Sequence, residues 1–332
     1  QSSPYDHSRT KIGKTIALLV WSTMATILLT HDSCTEHDPG PMHPEAPARL
    51  RAVHSALTKE KYAPLLRREA PIAKFEQIAT IHPPNHVEKL LEAIPAEGRV
   101  ILDGDTSVSP KSGEAARRAV GALCEAVDAI VAKEANNAFC AVRPPGHHAE
   151  PTIPMGFCVF NSVAAGAEHA RKKHGMERVA VVDFDVHHGN GTQAMFWTDA
   201  NLFFASTHQM PLYPGTGSAS EQGEHGNIVN EPLAPYSGSS EFRAAMTDRI
   251  IPALQGFAPE IIFISAGFDA HKADPLAQLN LVEADYYWVT AELLNIAEEV
   301  CDGRVVSTLE GGYDLDALAN SVMAHVDSLM EA

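Results

Sequence analysis

Near-unbroken apolar runs punctuate the chain at residues 26–30, 138–142, 179–183, 202–206, 261–265 and 305–309. A strand with one wet face alternates apolar and polar residues. Runs that do not alternate belong to strands covered on both faces, as in a parallel sheet. Between them, 47–58, 114–133, 162–174, 241–254, 283–300 and 315–330 carry apolar residues at helical spacing, each with one face to bury. This alternation predicts an α/β fold: a three-layer α/β/α domain on a mainly parallel central sheet. No low-complexity linker or internal repeat interrupts it, so 24–332 reads as a single catalytic domain.

The N-terminus reads differently. Arg9, Lys11 and Lys14 precede a largely apolar stretch at 15–29 that superficially resembles a signal peptide. No small-x-small cleavage site follows, and Met24 opens a segment that reads as the first core strand. Met24 is therefore expected as the natural start, with residues 1–23 an extension or appended remnant. Trp21, Ser22 and Thr23 interrupt the run too early for a membrane span, and no other segment qualifies.

The formal net charge is −17, which argues against direct nucleic-acid binding and suits a cationic substrate such as a lysine-bearing peptide or a polyamine. An acidic surface that serves only solubility is the alternative. Cys34, Cys124, Cys140, Cys158 and Cys301 are odd in number, widely spaced and without a CxxC pair. They point to a reducing, cytoplasmic setting and away from thiolate-bound zinc.

The residues able to do chemistry cluster directly after the strands. The runs are succeeded by Arg-Pro-Pro-Gly-His-His-Ala-Glu (143–150), Asp-Phe-Asp-Val-His-His-Gly-Asn-Gly (183–191), Ser-Thr-His (206–208), Ser-Ala-Gly-Phe-Asp-Ala-His (265–271) and Leu-Glu-Gly-Gly-Tyr-Asp (309–314). In open α/β sheets the carboxyl ends of the strands form the ligand edge. Asp183, Asp185 and His187 alternate, so in extended backbone they point one way. Asp185 and His187 can then share one metal ion that Asp269 completes, a set suited to Zn²⁺, Fe²⁺ or Co²⁺. Asp-x-His alone is equally a buried pair satisfying backbone donors. The other clusters on the same edge favour the metal. His147 and His148, aimed by the Pro-Pro-Gly turn, suit general acid/base work, and Tyr313 after Gly311-Gly312 suits an oxyanion donor. Each alone is also an ordinary turn residue.

Together these motifs, with Met-Gly-Phe-Cys-Val-Phe-Asn (155–161) and His-Pro-Glu-Ala-Pro-Ala-Arg-Leu (43–50), resemble the histone deacetylase / acetylpolyamine amidohydrolase family from about Met24 to the C-terminus. Asn190 and the Asp-Ala after Gly-Phe are closer to the class II branch and its bacterial relatives. The resemblance implies the arginase/deacetylase fold and Zn²⁺ on Asp185, His187 and Asp269. It also implies acid/base roles for His147 and His148 and carbonyl polarisation by Tyr313. Asp183 would orient His147, and Asn190 would contact His148. Gly156, Phe157, Tyr213 and Gly311 would line the acyl tunnel, Tyr213 replacing a Phe of animal relatives. A rim Asp105 would grip the substrate backbone. K⁺ would be held by Asp183, Asp185, His187, Ser206 and carbonyls near Phe196.

The implied reaction is hydrolysis of acyl-amines by metal-activated water, with a protonated His148 donating to the leaving amine. Leu276 stands where lysine deacetylases have an apolar residue and a polyamine-selective relative has a gatekeeping Glu. That favours acetyl-lysine in proteins or peptides over acetylpolyamines and other small amides. A non-catalytic acyl-lysine binding module and a homo-oligomer are also compatible with the sequence. An arginase-like two-metal site is not, because Gly189 and His271 stand where its further carboxylates would be.

Overall fold

All six apolar runs form strands, and they lie side by side. The computed structural model describes residues 25–332; the expectations for residues 1–23 and for Met24 lie outside them. The strands are β1 (Thr26–Thr30), β2 (Leu66–Glu69), β3 (Val100–Ile101), β4 (Ser107–Val108), β5 (Asn137–Cys140), β6 (Val179–Asp183), β7 (Leu202–Gln209), β8 (Ile228–Leu233), β9 (Ile261–Ala266) and β10 (Val305–Leu309). Eight of them build one sheet in the order β2-β1-β5-β10-β9-β6-β7-β8, and β3 and β4 form a separate antiparallel pair. Every pairing in the large sheet is parallel. Residues of β5, β6, β7, β9 and β10 are buried throughout, as strands sandwiched between helical layers must be.

The helices Pro47–Ala56, Glu283–Cys301 and Leu315–Glu331 pack against one another, the last lying against both of the others, and Ser112–Val131 packs against Ser162–His174. The result is the three-layer α/β/α arrangement. Local signals set the helix ends. Asn161 caps Ser162–His174 by accepting from the Ala164 amide at 3.0 Å, and Gly175 ends it at φ +71°. Asp314 caps the last helix by accepting from the Ala317 amide at 2.8 Å.

Two features depart from expectation. The helix expected at 241–254 is broken into Ser239–Ala245, a π-helical turn Met246–Ile250, and Ile251–Phe257. Pro252 has no N–H for the regular ladder, and the wide turn precedes it. The edge strands β2 and β8 carry no matching sequence signal. Leu66-Arg-Arg-Glu69 is mostly exposed, and β8 carries Asn230, Glu231 and Pro232, so neither shows the apolar run that marks the centre of the sheet.

Candidate active site

The central strands β5, β10, β9, β6 and β7 are contiguous, and the polar clusters lie beyond their carboxyl ends. Asp183, the last residue of β6, is in register with Ser265 on one side and Ser206 on the other. Beyond it the main chain fixes the acidic side chains. The amide of Asp185 donates to Asp183 Oδ1 at 3.0 Å, that of His187 to Asp185 Oδ1 at 2.9 Å, and that of Val186 to Asp269 Oδ1 at 2.9 Å. Just past β10, the Gly311 amide donates to Asp185 Oδ2 at 2.8 Å.

His187 Nδ1 then lies 3.2 Å from Asp185 Oδ1 and 3.1 Å from Asp269 Oδ2, and one ligand atom from each of the three residues falls within 4.8 Å of the others. Glycine is required here. A Cβ on Gly267 would sit 2.1 Å from Asp185 Oδ2, and one on Gly311 would sit 2.1 Å from Asp269 Oδ2. At Gly189 a Cβ would meet Asp183 Oδ2 at 2.3 Å, leaving no room for the extra carboxylate of a two-metal site.

The two adjacent histidines have different partners. His147 Nδ1 lies 2.9 Å from Asp183 Oδ2, with its Nε2 3.8 Å from Asp185 Oδ2. His148 Nδ1 lies 2.8 Å from Asn190 Oδ1. Asn190 Nδ2 donates to Glu150 Oε1 at 2.8 Å, so its carbonyl faces the ring and His148 Nδ1 carries the proton. The lone pair of His148 is therefore on Nε2.

Their titration reflects these partners. Burial opposes a charge on His147, but Asp183 and Asp185 outweigh it and push its pKa up to about 10. Burial, together with the charges of His147 and His187, holds His148 well below the ordinary histidine range. Burial likewise opposes a charge on His187, but Asp185 and Asp269 raise it to about 10. Burial and the neighbouring Asp185 raise Asp269. Carboxylates crowded out of water thus draw positive charge to this point. Two carboxylates and an imidazole in a glycine-lined cradle fit a divalent cation such as Zn²⁺, Fe²⁺ or Co²⁺.

Above the cluster is a cavity of about 190 Å³ lined by Asp105, His148, Gly156, Phe157, His187, Leu212, Tyr213, Leu276 and Tyr313. Asp105 Oδ1 accepts from the Gly156 amide at 3.0 Å. A Cβ on Gly156 would lie 2.3 Å from the His148 ring, so only glycine passes there. The Tyr213 ring stands edge-on to His148 at 5.3 Å, and burial, with Asp105 adding to it, raises its phenol. Phe157 and Tyr313 meet edge-on at 5.9 Å. Ser206 and Phe196 lie outside this cavity; Ser206 Oγ is 2.9 Å from His208 Nδ1, and the Phe196 carbonyl accepts from Asn227 Nδ2 at 2.9 Å.

Sequence reasoning missed the supports beneath the site. Glu310 is fully buried, and its Oε2 accepts from the amides of Gly146 at 2.7 Å and His147 at 3.3 Å, holding the Pro-Pro-Gly-His-His turn. A charged residue closing an apolar strand was the available signal. Arg49 and Arg143 are equally buried. Arg49 donates to the carbonyls of Gly312 and Glu310, both at 2.5 Å, and both arginines pair with Glu45. Leu212, in the cavity wall, carried no motif.

A parallel α/β sheet thus carries, at its carboxyl edge, a group of side chains able to hold a metal ion beside two adjacent histidines. Residues 43–329 match the histone deacetylase domain, and the chain belongs to that family. It is 40% identical over 300 residues to Histone deacetylase 14, chloroplastic, of Arabidopsis thaliana, covering 84% of this chain and 71% of that protein. It is 39% identical over 276 residues to Histone deacetylase-like amidohydrolase of Pseudomonas aeruginosa, covering 82% and 72%. The crystal structure of the HDA15 HD domain matches with a TM-score of 0.88 at 32% identity, covering 93% of this chain and 89% of that one. The protein is accordingly a deacetylase of the amidohydrolase type, acting on amide bonds of acetylated substrates. No helix among the described residues is long and apolar enough to cross a membrane.

Proposed function

We propose that the enzyme removes acetyl groups from the ε-amine of lysine in peptides or proteins, with one Zn²⁺ held by Asp185, His187 and Asp269. A metal bound there supplies the Lewis acidity that activates water and polarises the acyl carbonyl. His148 Nε2, with its lone pair free, takes a proton from the attacking water and returns it to the departing amine nitrogen. Asp183 fixes the ring of His147 beside Asp185. Tyr313, kept protonated by burial, donates its hydroxyl hydrogen to the carbonyl oxygen as negative charge gathers there. Phe157 and Tyr213 flank the aliphatic stem of the substrate, and Asp105 at the rim receives a backbone N–H of a peptide. We assign K⁺ to the Asp183, Asp185, His187 and Ser206 region beneath the metal.

The observation that carries the lysine reading is Leu276 in the cavity wall, an apolar side chain where recognition of a second ammonium needs a carboxylate. The experiment compares kcat/KM of the zinc-loaded enzyme on an acetyl-lysine peptide and on acetylspermidine. Preference for the peptide is expected. Preference for acetylspermidine would overturn the lysine assignment, and no turnover of either would return the site to a binding role.

A further inference from the structure

Away from the catalytic cavity, the described residues contain one other group of three close donors: Asp128 on the helix Ser112–Val131, with His169 and His174 on the helix Ser162–His174. Their ligand atoms lie within 4.8 Å of one another. His169 Nε2 and His174 Nε2 converge on the same oxygen, Asp128 Oδ1, at 2.9 and 2.6 Å. Lys173 Nζ takes the other oxygen, Oδ2, at 2.6 Å. The carboxylate is thus pinned so that one oxygen faces two imidazoles and the other an ammonium.

Both imidazoles are largely enclosed, with side-chain exposures of 9% and 17%, so their directions are set in advance. Gln77 Nε2, 3.5 Å from His169 Nδ1, helps to aim that ring. A groove of about 500 Å³ is lined by Asp128 and His169 of the cluster together with Pro71, Ile72, Cys124 and Lys173, giving an ion and its waters access from that side. The groove wall is firmly docked. The Ala73 amide donates to the Arg117 carbonyl at 3.1 Å, and a Cβ on Gly121 would lie 1.9 Å from the Pro71 carbonyl oxygen.

We infer that Asp128, His169 and His174 form a second metal site, which takes a divalent transition ion of the zinc class and ties the end of one helix to the other. Two imidazoles and a monodentate carboxylate, with water from the groove completing the shell, suit Zn²⁺ or Co²⁺. With metal–ligand bonds of ~2.0–2.1 Å, tetrahedral donors stand about 3.3 Å apart. The present nitrogen–oxygen separations must open by well under an ångström. Lys173 keeps its own oxygen throughout; the ion displaces the two imidazole hydrogen bonds to Asp128, and the Gln77 amide turns its oxygen to accept the proton then carried by His169 Nδ1. The cluster is remote from the residues of the proposed reaction, and the inference does not depend on that reaction.

The test is metal stoichiometry. Metal-depleted protein is dialysed against Zn²⁺, and bound metal is counted for wild type, His174→Ala and Asp128→Asn. Wild type should hold one equivalent more than each variant, with kcat on an acetylated peptide within about twofold of wild type. Circular dichroism establishes that the variants are folded. Co²⁺ loading of wild type gives an independent reading: its visible absorption should show a second titration step that the conservative Asp128→Asn variant loses. Equal metal content in wild type and the folded variants would overturn the site and leave the cluster as a set of ion pairs.

Discussion

The catalytic cluster and the Asp128 cluster are made from the same side chains in opposite settings. Asp185 and Asp269 are held by main-chain amides of Val186, His187 and Gly311, delivered by buried strands. Asp128 is held by side chains, two imidazoles and an ammonium. Donors at the first site stand 3.1 and 3.2 Å apart, near the spacing around a metal, and those at the second at hydrogen-bond distances of 2.6 and 2.9 Å. Backbone anchoring therefore builds a charge-hungry cradle. Side-chain anchoring builds a set of partners already content with one another, which an ion must displace.

The sharpest way to break this comparison is Asp269→Ala. It should abolish tight metal binding at the catalytic centre and lower kcat by roughly a thousandfold or more, while zinc at Asp128 persists. Metal counting and steady-state kinetics on one preparation read both; full metal retention would remove Asp269 from the ligand set. Tyr313→Phe should come next, lowering kcat by roughly a hundredfold to a thousandfold with metal content intact. An unchanged kcat would take the phenol out of the reaction.

A smaller effect separates the clusters by acidity. Imidazole must be unprotonated to bind metal, so affinity at the Asp128 site should fall as pH drops, by about tenfold per unit for each histidine that titrates. Burial, with the charges of Lys173 and His174 adding to it, outweighs the opposing pull of Asp128 and holds His169 below its ordinary range, so its share of the loss begins only below pH 6.5. Isothermal titration with Zn²⁺ in a protein lacking the catalytic ligand Asp269 isolates this curve; no weakening on acidification would contradict imidazole ligation.

The smallest effect uses a histidine with no carboxylate. His325 is enclosed by Phe139, Phe184 and Phe268 and bonded to Thr290 and Ser307, and burial lowers it to about 3. Its folded pKa lies below the unfolded one, so the unfolded chain takes up the proton first. Stability present above about pH 6.5 is lost on acidification at about 1.4 kcal/mol per pH unit. His325→Gln should flatten this slope in urea unfolding at pH 7 and pH 5, whatever its effect at neutral pH. Equal slopes would show that His325 does not contribute to acid sensitivity.

These contrasts explain what could be read from the residues alone. The central strands were legible because burial on both faces leaves unbroken apolar runs, and the motifs were legible because each comes directly after such a strand. Edge strands were not, since Leu66–Glu69 needs only one partner and tolerates charge. The same holds for the Asp128 site. His169 and His174 are five residues apart, a spacing that places them on no common helical face, and Asp128 joins them only through packing of a distant helix. Glu310 was overlooked because its task is to hold two amides, and an amide leaves no mark in a sequence.

The position of β10 has a consequence for how a ribosome must deliver this enzyme. Last in chain order among the described strands, it occupies the middle of the sheet, between β5 and β9. Until it emerges, the nascent chain can offer only two half-sheets. One carries the paired histidines, the other Asp185, His187 and Asp269, and each has an open, fully buried border strand in the finished fold. The base and the metal cradle become neighbours only when that final strand slides in and brings Gly311 and Tyr313 with it. Catalytic competence therefore waits on β10, and the borders of β5 and β9 are where a polypeptide stalled before it would invite misassociation.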